Sequence, residues 1–279
     1  MTDIEKRDRI RGMLWGLLVG DCLGSPVQFM EMDSFPKVTE MLPCHNFNTP
    51  AGYWTDDGAL ALCIMQSAIS CKGYDLEDIA DNFISWYDEG FCSSLDYAFD
   101  IGRATAVGIH GLKRNILRNG VEESQGNGSI MRFAPSLLLD GGDNRIIHKI
   151  SDLTHDSCKV RETTDLMAAI CREHLSGNKT RHSSEYIRRE DVNNSGWCVS
   201  TLQAALWAFY STENFENALI EAVNLGGDAD TIGAVCGQIA GAYYGYSAIP
   251  ERWLAAIKDQ KKLDKIIDDF IEVCSDLSF

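Results

Sequence analysis

Apolar residues return every three to four positions along most of this chain, the spacing that gives a helix one buried face. The pattern predicts helices over residues 5–23, 57–71, 76–88, 94–109, 128–139 (interrupted by Pro135), 144–154, 161–176, 199–211, 214–224, 230–246, 250–257 and 261–275. Capping signals agree with several of them: Asp75 ahead of Glu77 and Asp78, Ser151-Asp152, and Asn214 before Phe215. Strand-like alternation is almost absent, and no strand–helix–strand rhythm appears. Met32–Tyr53, with Pro36, Pro43 and Pro50, reads as a long loop, and the polar stretch Asn178–Ser195 as a surface loop. Neither has the low complexity of a linker. The expected fold is therefore all-α, a single compact multi-helix domain over residues 1–279.

Two of these helices carry a glycine row. Gly12, Gly16, Gly20 and Gly24 recur every fourth residue, as do Gly233, Gly237, Gly241 and Gly245. A glycine inside a helix costs about 0.5–1 kcal/mol relative to alanine, so eight of them require a packing return. A row of this kind is a flat ridge that admits another backbone. The two helices are expected to be central and closely packed, on each other or on another backbone. If they run antiparallel, Asp21 and Gln28 at the end of the first lie beside the start of the second.

Chain length and composition suit a soluble globular protein with a sizeable core: 279 residues, 45% hydrophobic and 24% charged. A net charge of −16 disfavours a nucleic-acid backbone or an anionic membrane as partner. Met1–Arg11 is charged rather than apolar, and no uncharged apolar run reaches the length of a membrane span. The ten cysteines are scattered and form no C-x-x-C pair, a reduced, cytoplasmic pattern.

The chemistry concentrates in two acidic clusters, Thr55-Asp56-Asp57 and Asp228-Ala229-Asp230-Thr231, each opening a helix-like run. Residue type leaves two readings. Carboxylates at helix starts complement the helix dipole and cap free N–H groups. Brought together, four carboxylates and two hydroxyls repel unless cations intervene, and an all-oxygen set favours Mg²⁺, Mn²⁺ or Ca²⁺. Six donors in two groups also suit a pair of ions about 3.5–4 Å apart. Ser124-Gln125-Gly126-Asn127-Gly128-Ser129 is either an ordinary turn or a set of N–H groups able to cradle a phosphate. Asp100, inside a predicted amphipathic helix, reads as solvated, and His155 as a capping or buried polar residue.

In order along the chain, Gly12–Gly24, Trp54-Thr55-Asp56-Asp57, Asp100-Ile101-Gly102, Gly126–Arg132, Thr154-His155, Leu202–Phe209 and Val223–Thr231 resemble the motifs of the ADP-ribosylglycohydrolases, the group of the dinitrogenase reductase-activating glycohydrolase. The resemblance implies a compact all-α fold, a centre of two Mg²⁺ (or Mn²⁺) ions, and hydrolysis of the glycosidic bond of an ADP-ribosylated protein or an ADP-ribose-containing small molecule. By motif, Thr55, Asp56 and Asp57 would supply one side of the metal centre, and Asp228, Asp230 and Thr231 the other. Ser124, Gly126, Asn127 and Gly128, with His155 nearby, would hold the diphosphate and distal ribose. The Asp-Ile-Gly form at Asp100 is similar to the arginine-specific bacterial branch, in which that carboxylate faces the leaving guanidinium, a geometry suited to bidentate hydrogen bonds.

One position departs from the pattern. The family usually carries Pro-Val-Glu after its first glycine motif, and that Glu assists catalysis at the metal centre; here the segment is Ser25-Pro26-Val27-Gln28. An amide cannot accept a proton as a general base does. Glu31 is the nearest carboxylate that could substitute. A hydrolase, a catalytically impaired ADP-ribose binder and a structural protein of the same fold are the three readings open at this stage.

Overall fold

The computed structural model describes residues 2–179 and 188–275; positions 180–187 of the predicted surface loop lie outside the described residues. Twelve α-helices occur among them: α1 Asp3–Gly24, α2 Asp56–Cys71, α3 Leu76–Glu89, α4 Arg103–Leu112, α5 Phe133–Leu139, α6 Arg145–Asp152, α7 Cys158–Leu175, α8 Cys198–Tyr210, α9 Phe215–Val223, α10 Ala229–Tyr244, α11 Glu251–Ala256 and α12 Gln260–Ser275. Buried apolar side chains from Ile10 to Cys274 form one continuous cluster. None of the helices is long and apolar enough to cross a membrane.

The two glycine rows meet. A Cβ on Gly12 would strike the Gly241 and Gly245 backbone, one on Gly16 the Gly237 carbonyl, one on Gly20 the Gly233 carbonyl, and one on Gly24 the Ala229 carbonyl. That sequence of contacts makes α1 and α10 antiparallel, with no side chain between the backbones along the seam. The residues of both helices along this stretch are buried almost without exception. The pairing sets the end of α1 beside the start of α10, where Phe29 N–H donates to Gly227 C=O (2.6 Å) and Gly227 N–H to Met30 C=O (2.8 Å). Gly226 (φ 65°) and Gly227 (φ 63°) turn in the left-handed region, against Met30 O and Asn194 O respectively, where a side chain would be both strained and obstructed.

α2 is fixed to the same seam through a carboxylate. Asp21 of α1, fully buried, accepts from Thr55 N–H (3.1 and 3.0 Å to its two oxygens) and from Gly58 N–H (2.9 Å), so it satisfies free donors at the start of α2 from outside that helix. The Gln238 side chain of α10 does the same for α5, accepting from Ala134 N–H at 2.7 Å while donating to the Ile130, Met131 and Ala234 carbonyls.

Three sequence expectations need correction. Pro135 does not interrupt a helix; α5 begins at Phe133, which puts Pro135 in its first turn, where no intrahelical N–H is needed. The predicted helix 94–109 begins only at Arg103: Ser93 and Ser94 donate to the Tyr97 and Trp54 carbonyls, and Asp100 lies at φ 56°. Ser151 and Asp152 end α6 instead of capping a helix start, because Ser151 Oγ accepts from Ser129 Oγ and Asp152 binds Arg161. Asp75 and Asn214 do cap α3 and α9 as expected.

Replacing Gly16 or Gly237 by alanine is expected to be destabilising, and by leucine to prevent soluble folding, since overpacking costs about 1–3 kcal/mol even where neighbours can yield and backbone cannot. Gly141→Ala, where an added Cβ meets nothing within 4 Å, should leave the thermal midpoint unchanged. Equal midpoints for Gly16→Ala and Gly141→Ala would contradict the backbone contact.

Candidate functional site

The α1–α10 seam, the start of α2 and two loops enclose a cleft of about 460 Å³ lined by Gln28, Asp56, Asp57, Asp100, Ser124, Gly126, Asn127, Gly128, His155, Asp228 and Thr231, among others. Nearly every residue singled out in the sequence lines it. Thr55 stands just behind as the N-cap of α2, its hydroxyl accepting from Asp57 N–H. Asp230 is buried in the first turn of α10, and its Oδ1 accepts from Thr231 N–H at 2.9 Å.

Local structure explains each placement. Asp56 and Asp57 occupy the first turn of α2 and Asp228 is the N-cap of α10, so both helix starts point their positive dipole ends at the acidic groups. Asp228 is held by its N–H to Asn194 C=O (2.9 Å) and by Asn127 Nδ2, which donates to its Oδ2 (2.6 Å) and to Thr201 Oγ1 (3.0 Å). The loop with Gly126 and Gly128 is pinned by two backbone bonds, Cys198 N–H to Gln125 C=O (3.0 Å) and Asn127 N–H to Gly196 C=O (3.1 Å). Gly128 lies against the His155 ring with no room for a Cβ.

Electrostatics set this cleft apart from an ordinary pair of capped helices. Burial, then the charges of Asp100, Asp21 and Asp228, push the Asp56 carboxyl well above the usual range. Burial and the charges of Asp21, Asp56 and Asp228 do the same to Asp57, and burial with Asp100 and Asp228 to Asp230. Burial raises Asp21 to about 7 and Asp100 to about 6. Among the described residues no three acidic, His or Cys side chains close into a cage; the clusters flank the cleft instead of meeting at a point. Dipole capping does not account for all of their oxygens, because Asp57 Oδ2 is buried without a hydrogen-bond partner. A hard divalent cation between the clusters fits both the orphaned oxygen and the donor chemistry.

Arg132 was quoted in the sequence only as part of a motif, yet it anchors this wall. The fully buried guanidinium donates to Gly128 C=O (2.6 Å) and Thr154 Oγ1 (2.6 Å) and lies 4.9 Å from the Phe83 ring centroid. Burial lowers it to about 10, a loss opposed by the charges of Asp56 and Asp57. Thr154 Oγ1 pairs in turn with His155 Nδ1 at 2.7 Å. Burial, reinforced by Arg132, lowers His155 to about 3, so its ring is neutral at physiological pH. An arginine set in the apolar run Ile130–Leu139 was the available sequence signal, since such a charge is rarely buried without partners. Asn194, read as part of a surface loop, supports the site through Asp228. Glu31, the carboxylate considered as a substitute base, is exposed and is not part of the cleft wall.

Comparisons with known proteins agree with this architecture. Residues 2–278 match the family model described as ADP-ribosylglycohydrolase. A Serratia proteamaculans protein named ADP-ribosylarginine hydrolase Tri1 is 30% identical, with 100% of this chain and 83% of the relative covered. The ADP-ribosyl-[dinitrogen reductase] glycohydrolase of Rhodospirillum rubrum is 28% identical over 96% of this chain and 97% of its own length. A solved structure described as an ADP-ribosylglycohydrolase-related protein complex superposes with a TM-score of 0.84 at 33% identity, covering 97% of this chain and 99% of that chain.

Arg132→Lys should lower stability by about 3–5 kcal/mol, because a single ammonium cannot reach both acceptors and leaves one buried and unpaired. Amide exchange over residues 126–132 should accelerate with it. An unchanged midpoint together with unchanged exchange would show that Arg132 does not hold the loop.

Proposed function

The chain belongs to the ADP-ribosylglycohydrolase family, and from that membership and the carboxylate-lined cleft we propose a divalent-cation-dependent hydrolase that removes ADP-ribose from a modified residue, with the arginine-linked N-glycosidic bond as its substrate. The observation that carries this reading is the cleft itself. It places two acidic clusters from opposite helix starts across from a loop of small residues backed by a neutral histidine. Relatives named as ADP-ribosylarginine hydrolases support the arginine linkage.

In this reading Thr55, Asp56 and Asp57 would hold one of two Mg²⁺ or Mn²⁺ ions, and Asp228, Asp230 and Thr231 the other; bound there, the cations would neutralise the buried charge and supply Lewis-acid activation of water. Ser124, Gly126, Asn127 and Gly128 bind the diphosphate and distal ribose, with His155 as an uncharged wall and hydrogen-bonding group. Water adds to the anomeric carbon, the carbon–nitrogen bond breaks, and the proton lost by water ends on the departing guanidine. Gln28 cannot take that proton and Glu31 is out of position, so Asp56, Asp57 or Asp100 must relay it. A second reading, an ADP-ribose binder with impaired turnover, is favoured by one observation, the amide at position 28. Calorimetric binding of ADP-ribose without any hydrolysis would select it.

Incubation with an arginine-ADP-ribosylated protein should release ADP-ribose with Mg²⁺ or Mn²⁺ and not with EDTA. Asp57→Asn and Asp230→Asn should abolish release while keeping the helical fold, and relief of repulsion should leave metal-free stability equal or slightly higher. Near-normal turnover in either variant would reduce these residues to helix caps.

Stability should show the same cations. A hundredfold excess over Kd contributes about 2.7 kcal/mol. Burial raises the carboxyls that would bind cations, Asp56, Asp57 and Asp230, well above the usual range in the folded state, and raises the neighbouring Asp100 to about 6. Protons therefore compete with cations as pH falls towards 5. The rise in thermal midpoint on adding Mg²⁺ should be largest near pH 7.5 and small near pH 5. No rise at any pH, or a larger one at pH 5, would contradict the metal assignment.

A further inference from the structure

Among the described residues that line the cleft, Arg103 is the only arginine or lysine, and no step proposed above uses it. It is exposed and opens α4, whose N-cap is the extended Gly102, a residue with no side chain to cap a helix. Among the described residues no acceptor meets the N–H groups of Gly102, Arg103, Ala104 or Thr105, and all four residues line the cleft. The nearby Asp100 could have capped this start, but its Oδ2 accepts from Gln28 Nε2 at 3.0 Å instead. Thr105 is 2% exposed, and its hydroxyl has no hydrogen-bond partner among the described residues. Its Oγ1 nevertheless keeps accessible surface, unlike the sealed Asp57 Oδ2. It faces the glycine loop: a Cβ on Gly128 would lie 3.2 Å from Oγ1 and against the His155 ring. Around Gly102 there is room, since a Cβ there would meet nothing nearer than 3.9 Å.

We propose that the start of α4 is the second wall of the diphosphate subsite. Arg103 pairs with the phosphate oxygens, and the first-turn N–H groups and Thr105 Oγ1 donate to them from beside Gly128. The inference rests on the ADP-ribose-releasing reading proposed above and adds the group that meets the charge of the diphosphate. A free helix start presents aligned N–H donors and the positive end of its dipole, a ready seat for a phosphate. A guanidinium adds paired hydrogen bonds to the same oxygens. Charge makes such a group necessary in this chain of net charge −16. Apart from the neutral His155, the other ionisable side chains of the wall are the carboxyls of Asp56, Asp57, Asp100 and Asp228, which offer a diphosphate no attraction. Arg132 is committed inside the protein to Gly128 C=O and Thr154 Oγ1. Among the protein's own side chains, attraction for the diphosphate therefore falls to Arg103.

The test is calorimetric titration of ADP-ribose, with Mg²⁺ present, into the unaltered protein, Arg103→Met, Thr105→Val and Arg114→Met, with folding checked by thermal midpoint. Arg114→Met removes an equally exposed positive charge that does not line the cleft. Arg103→Met should weaken binding about tenfold to a hundredfold, the worth of hydrogen bonds to a charged group, and Thr105→Val about threefold to tenfold. Arg114→Met should change it less than about twofold. Raising salt from about 0.05 to about 0.3 M should weaken binding by the unaltered protein more than by Arg103→Met, in which the screened charge is gone. Position 103 is exposed, so Arg103→Met and the salt comparison decide even where the buried Thr105→Val fails to fold. Unchanged affinity in Arg103→Met or in a folded Thr105→Val, or an equal loss in Arg114→Met, with the unaltered protein still binding ADP-ribose, would overturn this inference alone. Failure of the unaltered protein to bind ADP-ribose would overturn it together with the proposed function.

Discussion

Backbone-to-backbone contact between α1 and α10 is the constraint from which the rest of the structure follows. Seven helical glycines spaced by four residues, Gly12 to Gly24 and Gly233 to Gly241, weaken both helices locally, by about 0.5–1 kcal/mol each. The return is an antiparallel seam with no intervening side chains, which fixes the relative height of the two helices to within a residue. Register then determines chemistry. Once Gly16 lies on Gly237, Gly24 must lie on Ala229, and Gln28 follows a short turn beside Asp228.

The second consequence is electrostatic. Asp21 uses its carboxylate to anchor α2, and in doing so draws Asp56 and Asp57 towards Asp228 and Asp230. Burial and mutual repulsion raise every one of these carboxyls for which a shift is resolved. Arg132 offsets part of that charge from within the protein, but its two donated bonds go to Gly128 and Thr154 and not to the carboxylates. The protein's own side chains therefore only partly neutralise this cluster of raised carboxyls, and the proposed cation centre rests on that. A chain of net charge −16 would hold an anionic diphosphate by the same means.

Much of this was legible before any coordinates. Helical periodicity located the helices to within a few residues in most cases, because their apolar faces are continuous, and the paired glycine rows pointed to the central contact, while its antiparallel direction was only one possibility until the Gly16–Gly237 and Gly20–Gly233 contacts fixed it. The acidic clusters were visible as oxygen donors, although sequence left capping and cation binding both open; the orphaned Asp57 Oδ2 is an oxygen that capping does not use, and the cation proposal rests on it. Asp100 was misplaced because side-chain bonds from Ser93 and Ser94 defeat a helix that its periodicity favours. Arg132 and Gln238 were missed for a related reason. Each is a polar residue in an apolar run, and its partners, more than 20 residues distant for Thr154 and more than 100 for Ala134, are fixed only by tertiary packing.

A direct count of bound cations tests the central claim, that the glycine seam assembles a two-ion centre. Mn²⁺ titrated into the metal-free protein at neutral pH, with free ion followed by electron paramagnetic resonance, should saturate at two ions per chain, and the count should fall in Asp57→Asn and Asp230→Asn. Saturation at zero, or a count of two that neither substitution changes, would show that the clusters are helix caps brought together for packing alone.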